Sequence, residues 1–98
     1  MKLKAQLPMN KIDAPIIDMK LTGERISFLR KRKGLSIRQL QEYMGLATPQ
    51  AIYKWEHGLN LPSIDNLLFL SWIFNVSLNS IIICKNNLPT SDNKGYSI

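Results

Sequence analysis

The sequence predicts an all-α fold of five short helices, and three observations carry that expectation. Apolar residues recur at spacings of three and four. Helix-opening residues stand before these runs at Thr22, Ser36, Thr48, Ser63 and Ser77, and Gly34, Gly45, Gly58 and Asn75 stand after them. The first helix is expected from Thr22, as its cap, through Ile26 and Leu29 to a basic end at Lys33, with Gly34 as its stop. Ser36 opens the second, and Gln39 three residues on completes a capping box. Ile37, Leu40 and Met44 form its apolar face and Gly45 ends it. Thr48 is the expected cap of the third helix, with Pro49 at its first position, where a missing N–H costs nothing. Ser63 opens the fourth, about Ile64 to Phe74, which Asn75 closes in the left-handed conformation. Ser77 opens a fifth through about Ile83.

The chain outside this run has a different character. Residues 1–19 contain Pro8 and Pro15 and no helical period, which predicts an extended or flexible arm with a short extended piece at "PIIDM". Residues 85–98 are polar and broken by Pro89 and Gly95, and are expected to be a flexible tail. That leaves 20–84 as one small domain, and 98 residues are enough for one core but not two.

Composition narrows the function classes. The formal net charge of +6 is concentrated in residues 20–45, where seven Lys/Arg face Glu24 and Glu42 alone. A basic block of this kind suits a polyanion, although Lys31, Arg32 and Lys33 read equally well as a solvated helix face. Cys84 is the only cysteine and His57 the only histidine, so an intramolecular disulfide is excluded. A metal site or a nucleophile–base pair has almost nothing to build on, and neither a cofactor nor catalysis is expected. The opening "MKLKAQLPMN" lacks the apolar run of a signal peptide, which favours a cytoplasmic location. "IDNLLFLSWIFNVSLNSIIIC" has the length of a membrane span but holds Asp65, Asn66, Asn75 and Asn79, and a helix pair in a core explains it better.

One stretch, "TPQAIYKWEHG", asks for a partner. At about 100° per residue Gln50, Tyr53, Lys54 and His57 share a narrow polar stripe, while Ala51, Ile52 and Trp55 point the other way. Two short helices joined by a glycine-containing turn, the second with such a stripe, have helix-turn-helix geometry, and B-DNA's major groove admits a helix of that diameter. Gln50 can pair bidentately with adenine, and Lys54 can donate to guanine O6 and N7. Tyr53 offers a ring and a hydroxyl for the backbone or a thymine methyl. The N-terminus of the second helix at Ser36, with Arg38 beside it, suits a phosphate. Each has a plainer reading: Gln50 and Lys54 as solvated positions, Tyr53 packing on Pro49 or Lys54, His57 answering the helix dipole.

From about Gly23 to Ile83 the chain resembles the Cro/lambda-repressor-like helix-turn-helix family, also called the xenobiotic-response-element family. The matching stretches are "ERISFLRKRKGLS", "IRQLQEYMG", "IYKWEHG" and "LPSIDNLLFLSWIFNVSL". The resemblance implies double-stranded DNA as partner, transcription regulation, commonly as a repressor, and a homodimer on a two-fold operator. By position it implies base contacts for Gln50 and Lys54, phosphate contacts for Thr48 and His57, and a salt bridge between Arg30 and Glu56. The chain departs in a turn one residue longer than the commonest form, in Pro49, and in Asn79 and Ser80 where acidic residues are usual.

The fourth helix departs too. Where members resemble "LLKLAKALGVSL", this chain reads "LLFLSWIFNVSL", with Phe69 and Trp72 in place of lysines. That is more apolar surface than a small domain covers from one side. A second subunit meeting Phe69, Trp72, Ile82 and Ile83 is one expected cover, and "PIID" folding back in the same chain is the other. Two rivals remain at this stage: an antitoxin-like protein that binds a toxin or another regulator and reads DNA for autoregulation, and an enzyme accessory module with no DNA role.

Overall fold

The helical structure of the computed structural model over its described residues, 14–85, is four α-helices and a single 3-10 turn, and Ile17 and Cys84 are isolated bridge residues. The expected arm lies outside them up to residue 13, and the expected tail from residue 86 on. The helices are α1 (Met19–Arg32), α2 (Ile37–Met44), α3 (Gln50–Glu56) and α4 (Ile64–Phe74), followed by the 3-10 turn Leu78–Ser80. Residues 17–83 pack as one unit. Of a second unit the described residues are 14–16 and 84–85, where the Lys85 N–H donates to the Ile16 carbonyl at 2.7 Å.

The core draws on every helix: Ile26 and Leu29 from α1, Leu40 and Met44 from α2, Ile52 and Trp55 from α3, Leu67, Leu70 and Phe74 from α4, closed by Ile81. Their spacings of three and four put each set on one face of its helix, so burying that face orients the helix. Local caps set the boundaries. Ser36 and Gln39 form the reciprocal capping box at 3.0 and 2.9 Å, and Gly45 closes α2 at φ 69°. Ser63 Oγ accepts from the Asn66 N–H at 3.2 Å, and Asn75 closes α4 at φ 57°, ψ 48°.

Three boundaries differ from expectation. The third helix starts at Gln50 with Pro49, not Thr48, at its N-cap and no side-chain cap bond, since the Thr48 hydroxyl accepts from the Gln50 N–H only two residues on, at 3.3 Å. One residue explains the other two. The first helix starts at Met19, capped by Asp18, whose side chain accepts from the Leu21 N–H at 2.9 Å. Thr22, expected as the cap, is fully buried, and its hydroxyl binds Ile83 instead: it accepts from the Ile83 N–H at 2.9 Å and donates to the Ile83 carbonyl at 3.3 Å. The Asp18 N–H reaches the same carbonyl at 2.7 Å. A fifth α-helix through Ile83 would need the Ile83 N–H for the carbonyl of Asn79. With Ile83 committed to α1, the chain makes only the 3-10 turn, and Ser77 bonds the Ser80 hydroxyl at 3.2 Å rather than capping a helix.

Candidate nucleic-acid interface

The outward helix α3 is held from behind at two places. Gly23 lies where α1 crosses α3, and a Cβ there would come within 2.8 Å of the Glu56 carbonyl oxygen and closer still to that of Trp55. Only a residue without a side chain permits this approach. About two turns along α1, Arg30 Nε donates to Glu56 Oε2 at 2.7 Å and its Nη2 to Glu56 Oε1 at 3.1 Å, a two-bond pair with both side chains 9% exposed. Its Nη1 reaches the Leu35 carbonyl at 2.9 Å, so one guanidinium ties α3 to α1 and to the turn before α2. The hydrogen bond to Glu56 raises the Arg30 pKa above its ordinary value; burial opposes the shift and charge attraction adds to it. Ile52 and Trp55, both buried, complete the attachment.

With its inner side fixed, α3 turns its polar stripe outward. Gln50, Tyr53, Lys54 and His57 are all exposed, Tyr53 by 47%. His57 Nδ1 lies 2.8 Å from the Tyr53 carbonyl; a carbonyl only accepts, so Nδ1 carries the proton and the ring is anchored over the end of α3. Pro49 precedes α3, and Thr48 Oγ1 accepts from the Gln50 N–H at 3.3 Å, so the hydroxyl expected at a phosphate also supports the helix start.

At the opening of α2 the Ser36 hydroxyl is engaged in its capping box, which leaves the N–H groups of Ile37 and Arg38 outside the box at that end. Arg38 is well exposed, its Nε 3.7 Å from Glu42 Oε2 in a solvated pair that stabilises little. Ile37, Arg38, Gln41, Glu42, Pro49 and Tyr53 line one cleft between α2 and α3, so the structure brings Arg38 and Tyr53 to a common surface.

The spacing gave no notice of Gln41. Its backbone carbonyl accepts from the Leu46 N–H at 3.1 Å, and its side-chain Nε2 donates to the Leu46 and Ala47 carbonyls at 3.2 and 3.3 Å. A glutamine at mid-helix reads as solvated, and no periodicity marks it. Gly23 did carry a signal, since glycine is the residue that lets another backbone come close.

Of the four apolar residues expected at a second subunit, Phe69 and Trp72 meet each other on α4, while Trp72 and Ile83 line different clefts. Ile64, Leu68 and Trp72 form an exposed stripe along α4, with Trp72 75% exposed. Phe69 is half-buried and stacks on Trp72 with ring centroids 5.8 Å apart. Trp72 lines a cleft with Lys33, Leu35, Tyr43 and Ile73. Ile83 lines another, with Leu21, Glu24, Arg25 and Phe28, and Ile82 packs against the core. At that exposure Trp72 is not covered by Ile17 and Asp18, the part of "PIID" that belongs to the same unit. Among the described residues no group of three or more His, Cys, Asp or Glu could hold a metal, and no helix is long and apolar enough to cross a membrane.

This arrangement of α2, turn and α3 defines a class of DNA-binding module, and comparison with known proteins gives the family. The helix-turn-helix family model matches residues 26–81, and the chain belongs to the Cro/lambda-repressor-like helix-turn-helix family of DNA-binding transcriptional regulators. Among solved structures it is similar to the restriction-modification controller protein C.AhdI from Aeromonas hydrophila. The identity is 28% over 65% of this chain and 96% of that one, with a TM-score of 0.59. The DNA-binding domain of BldD shares the fold at 18% identity over 66% of this chain and 93% of that one, with a TM-score of 0.57. The S. venezulae BldD DNA-binding domain does so at 18%, over 66% and 96%, with the same TM-score of 0.57. No curated protein sequence matches the chain.

Proposed function

We propose that this protein is an operator-binding repressor of the cytoplasm that reads the major groove with the outer face of α3, using the domain at 20–84. The carrying observation is the exposed stripe of Gln50, Tyr53, Lys54 and His57 on a helix whose inner side is locked by Trp55, Ile52 and the Arg30–Glu56 pair. A rigid helix with a polar outer face is what base reading needs: Gln50 pairs with adenine, Lys54 with guanine, and Tyr53 and Arg38 meet the backbone from the cleft beside them. Thr48, His57 and the amino end of α2 at Ser36 supply the remaining phosphate contacts. The likeness to a restriction-modification controller protein supports a regulatory role of this kind.

A homodimer completes the reading. The apolar stripe of Ile64, Leu68 and Trp72, with Phe69 behind it, is the surface that supports association, and a two-fold pair would set the two α3 helices roughly 34 Å apart, one DNA turn. The same stripe supports a second reading, in which α4 binds another protein, antitoxin-like, and DNA binding serves autoregulation.

Selection of bound duplexes from a random pool, followed by sedimentation of the protein with and without the recovered duplex, tests both parts. The expected outcome is a two-fold symmetric motif and two protomers per duplex. Affinity that does not distinguish the recovered duplex from a scrambled one would overturn the operator reading. A monomer at tens of micromolar, bound singly, would overturn the dimer.

A further inference from the structure

We infer that Gln41 is a positioning residue that sets the pose of α3 against α2, and through that pose the sequence specificity of the protein; the inference rests on the base-reading role of α3 proposed above. The turn between the two helices runs from Gly45 to Pro49 and is tied back to α2 largely by this one residue. Its main-chain carbonyl holds the Leu46 N–H at 3.1 Å, and its side-chain amide holds the carbonyls of Leu46 and Ala47 at 3.2 and 3.3 Å. The Gly45 N–H also bonds α2, at the carbonyls of Gln41 and Glu42, but those bonds belong to the helix end itself. On the far side Thr48 bonds forward into α3, to the Gln50 N–H, and not back to α2.

The Arg30–Glu56 pair and the buried Ile52 and Trp55 fix the inner side and the far end of α3, so what Gln41 holds is its amino end. With the Leu46 and Ala47 carbonyls released, the turn and Gln50, the first residue of α3, would shift on an otherwise anchored helix. Gln41 also lines the α2–α3 cleft with Arg38 and Tyr53, so its amide sits between the backbone-contacting and base-reading sides of the interface. A duplex bound only through phosphates tolerates a range of α3 poses, because that attraction is long-ranged and sequence-independent. Base pairing does not. A protein in which the correct pose is one of several binds its specific site more weakly by the fraction of molecules in that pose.

The test compares three full-length variants on two probes, the duplex recovered by selection with the unmodified protein and a scrambled duplex of the same length and salt. Gln41→Met keeps the volume and removes the donor. It should lower the ratio of specific to scrambled affinity about tenfold by reducing the population in the reading pose, with affinity for the scrambled duplex unchanged. Gln41→Lys restores an N–H donor on a long stem and should recover the ratio to within about threefold, its added charge acting on both probes alike. Ser71→Ala is the control for mere loss of stability. It removes the Ser71 hydroxyl bond to the Val76 carbonyl at 2.7 Å, far along the chain from the turn, and should leave the ratio unchanged even where the melting temperature falls. An unchanged ratio in Gln41→Met, an equal loss in Ser71→Ala, or no recovery in Gln41→Lys would each overturn the inference while the unmodified protein still discriminates. If the unmodified protein does not discriminate, the base-reading role of α3 fails and takes the inference with it.

Discussion

Helices α3 and α4 each bury one side in the same core and leave the other side open, but the open sides differ in kind. On α3 the outward residues are Gln50, Tyr53 and Lys54; on α4 they are Ile64, Leu68 and Trp72. Folding alone explains the inner faces, which pack Ile52 and Trp55 on one helix and Leu67, Leu70 and Phe74 on the other. It explains neither outer face. A polar stripe on a helix locked in place suits a polar, charged partner, whereas a row of large apolar side chains in water suits another protein surface. The lesson is that a helix's chemistry away from the core, rather than its place in the fold, decides what kind of partner it suits.

Changes behind α3 should have the largest effects, because they free the helix as well as unsettling the fold. Arg30→Met leaves Glu56 nearly buried without its partner, and a loss of about 3–5 kcal/mol in urea unfolding is expected. Gly23→Ala forces a methyl against the Trp55 and Glu56 carbonyls. About 2–3 kcal/mol should be lost, read in the same unfolding experiment, since neither backbone can give way without moving α3. Thr22→Val removes the hydroxyl that serves both polar groups of Ile83 and should cost about 1–3 kcal/mol. That variant sharpens the contrast, because it acts on the end of the chain and should leave the α3 surface as it is. Trp72→Lys acts on the other outer face. Its effect on unfolding should stay within about 0.5 kcal/mol, as befits an exposed position, while sedimentation shows weaker self-association.

The parts of the fold legible in the sequence are those decided by neighbours along the chain. The Ser36–Gln39 box, the Ser63 cap and the left-handed Asn75 are each set within a few residues, and α2 and α4 take the bounds these residues mark. The start of α1 and the missing fifth helix are decided by Thr22 and Ile83, 61 residues apart. Asp18 and Thr22 are both good caps, and no local rule chooses between them when one hydroxyl has a distant partner. The interface divides in the same way. A period of 3.6 places Gln50, Tyr53, Lys54 and His57 on one side, and the structure exposes all four. That Trp72 and Ile83 line separate clefts depends on how helices cross, which spacing does not encode.

On the proposed function, individual side chains on the outer face of α3 read individual base pairs. This is tested most directly by measuring Gln50→Ala and Lys54→Ala against every single base-pair variant of the duplex selected by the unmodified protein, at one salt concentration. Each variant should lose about 1–3 kcal/mol on the selected duplex and become indifferent at one or two base pairs, different ones for the two residues, while discrimination elsewhere is kept. Losses spread evenly over all duplexes, or no loss in either variant, would contradict it.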